Sequence, residues 1–145
     1  MPPFLTHNFS ELPEEFFTLQ DWQGFDNPKI VIENHAMKKA LGMEDTKHRE
    51  LLEIFNGTKK IGSLKPLSMV YSGHQFGQYV EQLGDGRGLL FAQINSNEGL
   101  LDIHLKGAGK TPYSRFGDGR AVLRSVIREY SVSYTHLTLP TKRIV

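Results

Sequence analysis

The sequence predicts an α+β fold, built on an antiparallel sheet with one amphipathic helix packed beside it. Two observations carry this. Residues 70–94 are rich in glycine and β-formers, and two hairpins are expected, each turning on a Gly- or Asn-containing segment. After a loop, Val122, Leu123, Val126, Ile127 and Tyr130 recur at helical spacing. The 145 residues suffice for one ordinary core.

Residues 1–27 read as an extended, aromatic-bearing leader broken by Pro2, Pro3 and Pro13. The run 29–32 (KIVI) is a short strand candidate. A helix is expected over 33–41, stopped by Gly42, and a second over 45–55, stopped by Gly57. In the second, Leu51, Leu52 and Phe55 share a face, which reads as core packing. Beyond Pro66 the first hairpin is expected to turn at 84–88 (GDGRG), between Tyr79-Val80 and Leu89-Leu90-Phe91. The second turns at 95–99, between 91–94 and 100–106. A loop over 107–117 leads to a helix over 120–130, with Asp118 as a candidate N-cap. This divides the chain into a leader and helical segment (1–66), a glycine-rich lobe (67–130) and a tail (131–145).

Composition excludes several classes. Hydrophobic residues make up 39% and charged residues 23%, as in globular proteins. A net charge of +1 advertises neither a nucleic acid nor a membrane surface as partner. There is no long apolar run and no signal-peptide pattern at the start. With no cysteine there is neither a disulfide framework nor a thiolate metal site, which fits a reducing compartment. The six histidines show no ligand spacing, so no metal site is expected.

Gly109-Lys110-Thr111 has the ending of a P-loop, but the first glycine of that motif falls on His104, and Pro112 follows where a helix should begin. A protein-kinase-like small lobe fits better. It has a glycine turn over the phosphates, a lysine on the third strand and a glutamate on the next helix. Gly84, Gly86 and Gly88 allow backbone to approach phosphate, and Arg87 adds a forked cation. Strand alternation places Lys106 with His104 and Asp102, opposite Ile103 and Leu105. Arg120, Arg124 and Arg128 form a separate basic row on the expected helix, while Glu129 borders the apolar stripe, where a carboxylate facing the sheet needs a partner, and Lys106 is the natural one. The alternatives are a structural Asp-Gly turn at 84–88, a solvated Glu129 and a surface Lys106.

Taken together, 71–77 (YSGHQFG), 82–88 (QLGDGRG), 104–115 (HLKGAGKTPYSR), 117–125 (GDGRAVLRS) and 128–130 (REY) closely resemble the selenoprotein O (SelO) family. The resemblance covers residues 1–130. It implies a protein-kinase-like fold and a protein adenylyltransferase, which binds ATP inverted and passes AMP to Ser, Thr or Tyr hydroxyls of proteins with Mg2+ or Mn2+. By motif, Gly84, Gly86 and Arg87 become nucleotide contacts, Lys106 the phosphate-binding lysine and Glu129 its ion-pair partner. Asp118 and Gly119 also line the nucleotide site. The family's catalytic Asp and metal ligands lie in a larger lobe with no counterpart here, so no catalytic or metal-binding residue is expected in this chain, which is expected to be inactive alone. A kinase-like phosphotransferase and a non-catalytic nucleotide-binding module are the alternatives. The expected location is the bacterial cytoplasm, or the mitochondrion in a eukaryote, with ATP and acceptor proteins as partners. The run 132–141 (VSYTHLTLPT) has no helical stripe and resembles one reading frame of a transposon sequencing adapter, so a non-native tail is expected from about Ser131 and the helix is expected to be cut short.

Overall fold

A computed structural model describes residues 5–22, 24–96 and 99–138. The fold is α+β, a curled antiparallel sheet with few helices. In chain order the strands are β1 (Leu5–Thr6), β2 (Phe17–Leu19), β3 (Leu67–Met69), β4 (Gly73–Gln75), β5 (Gln78–Val80), β6 (Gly88–Ser96) and β7 (Gly99–Lys106); β4 and β5 pair with each other as a separate two-stranded sheet, and the other five form the main one. Short 3-10 turns at Asn8–Glu11 and Glu14–Phe16 separate β1 from β2. The helices are α1 (His35–Ala40), α2 (His48–Phe55) and α3 (Leu123–Thr138).

β6 is the central strand, and Leu89, Leu90, Phe91, Ala92 and Ile94 are all at most 2% exposed. β7 pairs along one edge of it. β3 and β1 share the other edge, through Leu67 opposite Leu90 and Leu5 opposite Ile94. β2 extends the sheet beyond β3. The pairing of β6 with β7 shifts register between Leu90 and Ala92. That irregularity divides the core: Leu90 packs with Phe17 and Leu67, whereas Phe91 and Ala92 pack with Ile54 of α2. Phe91 also receives the edges of Trp22 and Phe55 at 5.4 and 5.5 Å between ring centres. On the near side of the shift, Gly88 stands opposite Lys106. β7 alternates as its sequence predicts: Ile103 and Leu105 pack on the core, while Asp102, His104 and Lys106 are exposed.

Several expected elements differ. No strand forms over 29–32, where Val31 and Ile32 are exposed and find no sheet edge to pair with. Strand-forming side chains do not make a strand without a partner. The first hairpin does not turn at 84–88. β5 instead folds back on β4, with Gln75 opposite Gln78, across the two residues Phe76 and Gly77. Both have positive φ, 53° and 78°, as a tight hairpin turn of right-handed strands requires. The glycine segment therefore runs beside the end of β3, where the Leu83 amide donates to the Tyr71 carbonyl at 2.7 Å and the Asp85 amide to the Met69 carbonyl at 3.0 Å.

The second hairpin turns between Ser96 and Gly99, as expected. α1 is capped by Asn34, whose side chain accepts from the Met37 amide at 3.0 Å. Gly42 and Gly57, at φ 63° and 78°, follow the two short helices. α3 begins at Leu123, not at 120, so Asp118 is not its N-cap. The Asp118 carboxylate accepts from the Arg120 amide at 2.9 Å, closing a local turn ahead of the helix. α3 is not cut short near Tyr130 as expected but runs on to Thr138, past the point where the sequence pattern loses its stripe; the rest of the expected tail, 139–145, lies outside the described residues. The stripe itself is not packed: Val122, Leu123, Val126, Ile127 and Tyr130 are 37% to 59% exposed. An open groove of about 530 Å3 lies between Leu123 and Val126 on one side and Leu51, Leu52 and Phe55 of α2 on the other.

Candidate nucleotide site

A cleft of about 920 Å3 opens at the end of the sheet where β6 begins and β7 ends. Gly84, Gly86, Arg87, Lys106, Asp118 and Gly119 all line it. Three stretches of chain meet there: the glycine segment 84–88, the end of β7, and the loop 112–120. The opposition of Gly88 and Lys106 across β6 and β7 brings the first two together.

Lys106 Nζ donates to Glu129 Oε1 at 2.8 Å, joining the sheet to α3. The two side chains are 53% and 54% exposed, so the pair forms but is solvated, not buried against the sheet. Its direct contribution to stability is small. The hydrogen bond and charge of Lys106, with a smaller effect from Arg87, hold the Glu129 carboxyl below its ordinary pKa. Lys106 is thus held in place while open to the cleft. Tyr71 is also on the cleft wall, and its hydroxyl is pushed above its ordinary range by burial first and by Asp85 second.

The glycines are glycines for a reason that sequence alone does not show. Gly84 sits at φ 151°, and a Cβ there would stand 2.5 Å from Cγ of the Tyr113 ring. A Cβ on Gly86 would meet the Tyr113 carbonyl oxygen at 2.9 Å. Gly119, at φ 70°, would drive a Cβ to 1.9 Å from the Gly109 carbonyl oxygen. Each glycine permits close passage of one chain segment over another. Asp85 is structural too: its carboxylate accepts from the Met69 amide at 3.0 Å.

Four loop residues make contacts that the sequence pattern alone does not specify. Thr111, only 4% exposed, donates its hydroxyl to the Asp85 carbonyl at 2.7 Å. Ser114 donates to the Gly86 carbonyl at 2.6 Å. Tyr113 lies against Gly84, with its hydroxyl 2.9 Å from that of Thr18. Arg120 reads in the sequence as one of a basic row with Arg124 and Arg128, yet it is tied down by the Ala108 and Gly24 carbonyls. The available signal was the spacing of Thr111 and Ser114 around Pro112, a Ser/Thr turn pattern next to a glycine loop.

The carboxylates on the cleft wall, Asp85 and Asp118, are each engaged by a backbone amide. Among the described residues no group of three His, Asp or Glu side chains could hold a metal ion. The donors present do not fit a resident divalent cation. Also among the described residues, no helix is long and apolar enough to cross a membrane.

The comparisons agree with the motif blocks. A family model described as "Protein adenylyltransferase SelO" matches residues 3–145. The chain is 51% identical over 141 residues to a protein named protein nucleotidyltransferase YdiU from Vibrio parahaemolyticus, covering 95% of this chain and 29% of that protein. It is 48% identical to the protein of the same name from Aliivibrio fischeri strain MJ11, covering 96% of this chain and 30% of the relative. The Stutzerimonas stutzeri relative is 46% identical, with 94% and 29% covered. The chain therefore spans about 30% of the length of the curated relatives it matches.

Proposed function

The chain belongs to the SelO family, and on that premise we propose that it is the nucleotide-binding small lobe, of protein-kinase-like type, of a protein adenylyltransferase. The parent enzyme transfers AMP from ATP to a Ser, Thr or Tyr hydroxyl of a protein. The acceptor oxygen forms a bond to the α-phosphorus, the bond from that phosphorus to the bridging oxygen breaks, and pyrophosphate leaves. Such chemistry depends on positioning and charge neutralisation more than on covalent help. The observation that carries the reading is the convergence of Gly84, Gly86, Arg87, Lys106, Asp118 and Gly119 on one cleft, with Lys106 oriented by Glu129.

In this reading Lys106 and Arg87 neutralise phosphate charge, and Glu129 positions Lys106. The backbone of 84–88, with Asp118 and Gly119, shapes the nucleotide bed. Mg2+ or Mn2+ bound with the nucleotide would supply further charge neutralisation, on ligands outside this chain. The base that takes the acceptor proton also lies outside it, so this chain alone is expected to transfer nothing. The bacterial relatives favour a cytoplasmic setting.

The test uses ATP labelled at the α- or the γ-phosphate, with the full-length protein carrying this segment and an acceptor protein. Transfer of the α-label alone supports adenylyl transfer. Transfer of the γ-label would instead make it a kinase, and ATP binding without transfer of either label would make it a binding module.

A further inference from the structure

The turn 111–114 (TPYS) is fastened to the glycine segment at three consecutive residues. The Thr111 hydroxyl donates to the Asp85 carbonyl at 2.7 Å, and the Ser114 hydroxyl donates to the Gly86 carbonyl at 2.6 Å. Between them the Tyr113 ring lies where a Cβ of Gly84 would stand. The turn is itself rigid: the Thr111 amide donates to Ser114 Oγ at 2.8 Å, and the Tyr113 amide to Thr111 Oγ1 at 3.1 Å. It is also anchored to the sheet, through the 2.9 Å contact between the Tyr113 and Thr18 hydroxyls. A glycine-rich segment is the most flexible backbone a protein has, and ordering it costs more conformational entropy than ordering any other sequence. A loop meant to hold a polyphosphate gains affinity if that cost is met before the ligand arrives.

We infer that Thr111, Tyr113 and Ser114 are positioning residues that hold the glycine segment 84–88 in its nucleotide-ready conformation. The inference rests on the nucleotide-binding reading of the cleft and adds to it. Beyond the Asp85–Met69 hydrogen bonds that dock the segment on β3, two hydroxyl clamps and one aromatic floor supplied by the following loop order it. The clamps act on the consecutive carbonyls of Asp85 and Gly86, and so fix the peptide planes on both sides of Gly86. Ser114 and Thr111 thereby set the geometry around Arg87 through the backbone of the segment.

The experiment compares wild type with Thr111→Val, Ser114→Ala, their double variant, and the conservative Thr111→Ser, all in the full-length protein carrying this segment. Two readouts are taken: amide hydrogen exchange over 84–88 without nucleotide, and the dissociation constant for ATP. Loss of a buried hydroxyl clamp that leaves its carbonyl unpaired predicts about tenfold faster exchange and about tenfold weaker ATP binding per clamp. Thr111→Ser should restore both, which a bulk folding defect would not allow. Unchanged exchange in the double variant overturns the inference, as does faster exchange with unchanged ATP affinity. In both cases wild-type ATP binding leaves the nucleotide reading intact. A wild type that binds no ATP overturns the nucleotide reading itself, and with it the role given to the clamps.

Discussion

Lys106 Nζ and Glu129 Oε1 stand 2.8 Å apart, tying the last residue of β7 to the second turn of α3. The pair is half-exposed, so its value lies in orienting the ammonium over the cleft and not in holding the fold together. Lys106→Ala in the full-length protein should lower AMP transfer by about 10²-fold or more, the usual cost of removing one preorganised charge donor. Glu129→Gln keeps the lysine but loosens it, and should cost about tenfold, well short of the lysine's effect. Neither change should move the melting temperature by more than a degree or two. A Lys106→Ala enzyme with near-normal turnover would remove the lysine from the mechanism.

The same pair sets a pH dependence. Glu129 has its carboxyl pKa lowered by the Lys106 hydrogen bond and charge, so the folded state binds its proton less readily than the unfolded chain does. The contribution is therefore present above the unfolded-state pKa and lost as pH falls through the lower folded-state value. Carboxyl carbon shifts followed by NMR should show Glu129 titrating below an ordinary glutamate. In Lys106→Met that midpoint should move back up. An identical midpoint in both proteins would mean that the pair does not persist in solution.

Gly119 and Gly77 share a positive φ, 70° and 78°, but differ in surroundings. Nothing lies within 4 Å of a Cβ built on Gly77, whereas one on Gly119 would stand 1.9 Å from the Gly109 carbonyl oxygen. Gly77→Ala should cost only the left-handed backbone penalty, about 1 kcal/mol. Gly119→Ala adds a backbone collision and should cost roughly 3 kcal/mol or more. Chemical denaturation of the two variants checks the order. Equal losses would mean that the loop 107–120 relaxes freely.

How much of this was legible in the sequence depended on whether the cause was local. The hairpin of β6 and β7 was, because Gly99 and the alternation of Leu101, Ile103 and Leu105 act within a few residues. The hairpin of β4 and β5 was not, because its turn places Phe76 at φ 53°, a conformation bulky residues rarely adopt. β1 and β2 are two and three residues long and exist only because β6 and β3 offer them an edge. Of the site, the charged groups and glycines announce themselves by type. Thr111 and Ser114 do not, since their importance lies in which distant carbonyl each one reaches. The stripe on α3 correctly signalled a helix but said nothing of what covers it.

Arg120 shows how a periodic reading misassigns a residue. Spacing of four groups it with Arg124 and Arg128 on one helix face, yet α3 begins only at Leu123 and Arg120 lies outside it. Its guanidinium donates from Nη1 to the Ala108 carbonyl at 2.9 Å and from Nη2 to the Gly24 carbonyl at 3.0 Å. It also lies 4.4 Å over the centre of the Phe25 ring. One planar fork thus binds the leader, at Gly24 and Phe25, to the loop that carries Asp118 and Gly119 into the cleft. A lysine has the charge and three donors, but all on one compact nitrogen, so it cannot span the two carbonyls as the planar fork does and loses the flat contact with Phe25. Arg120→Lys should therefore lose about 1–3 kcal/mol, from one unpaired carbonyl and a weakened cation–π contact. At roughly 3 °C per kcal/mol for a chain of this size, the melting temperature should fall by several degrees. Arg124→Lys, on the exposed side of α3, is the matched control and should be silent. If both variants melt with the wild type, Arg120 is only another surface charge, and the leader is held to the loop by something other than its fork.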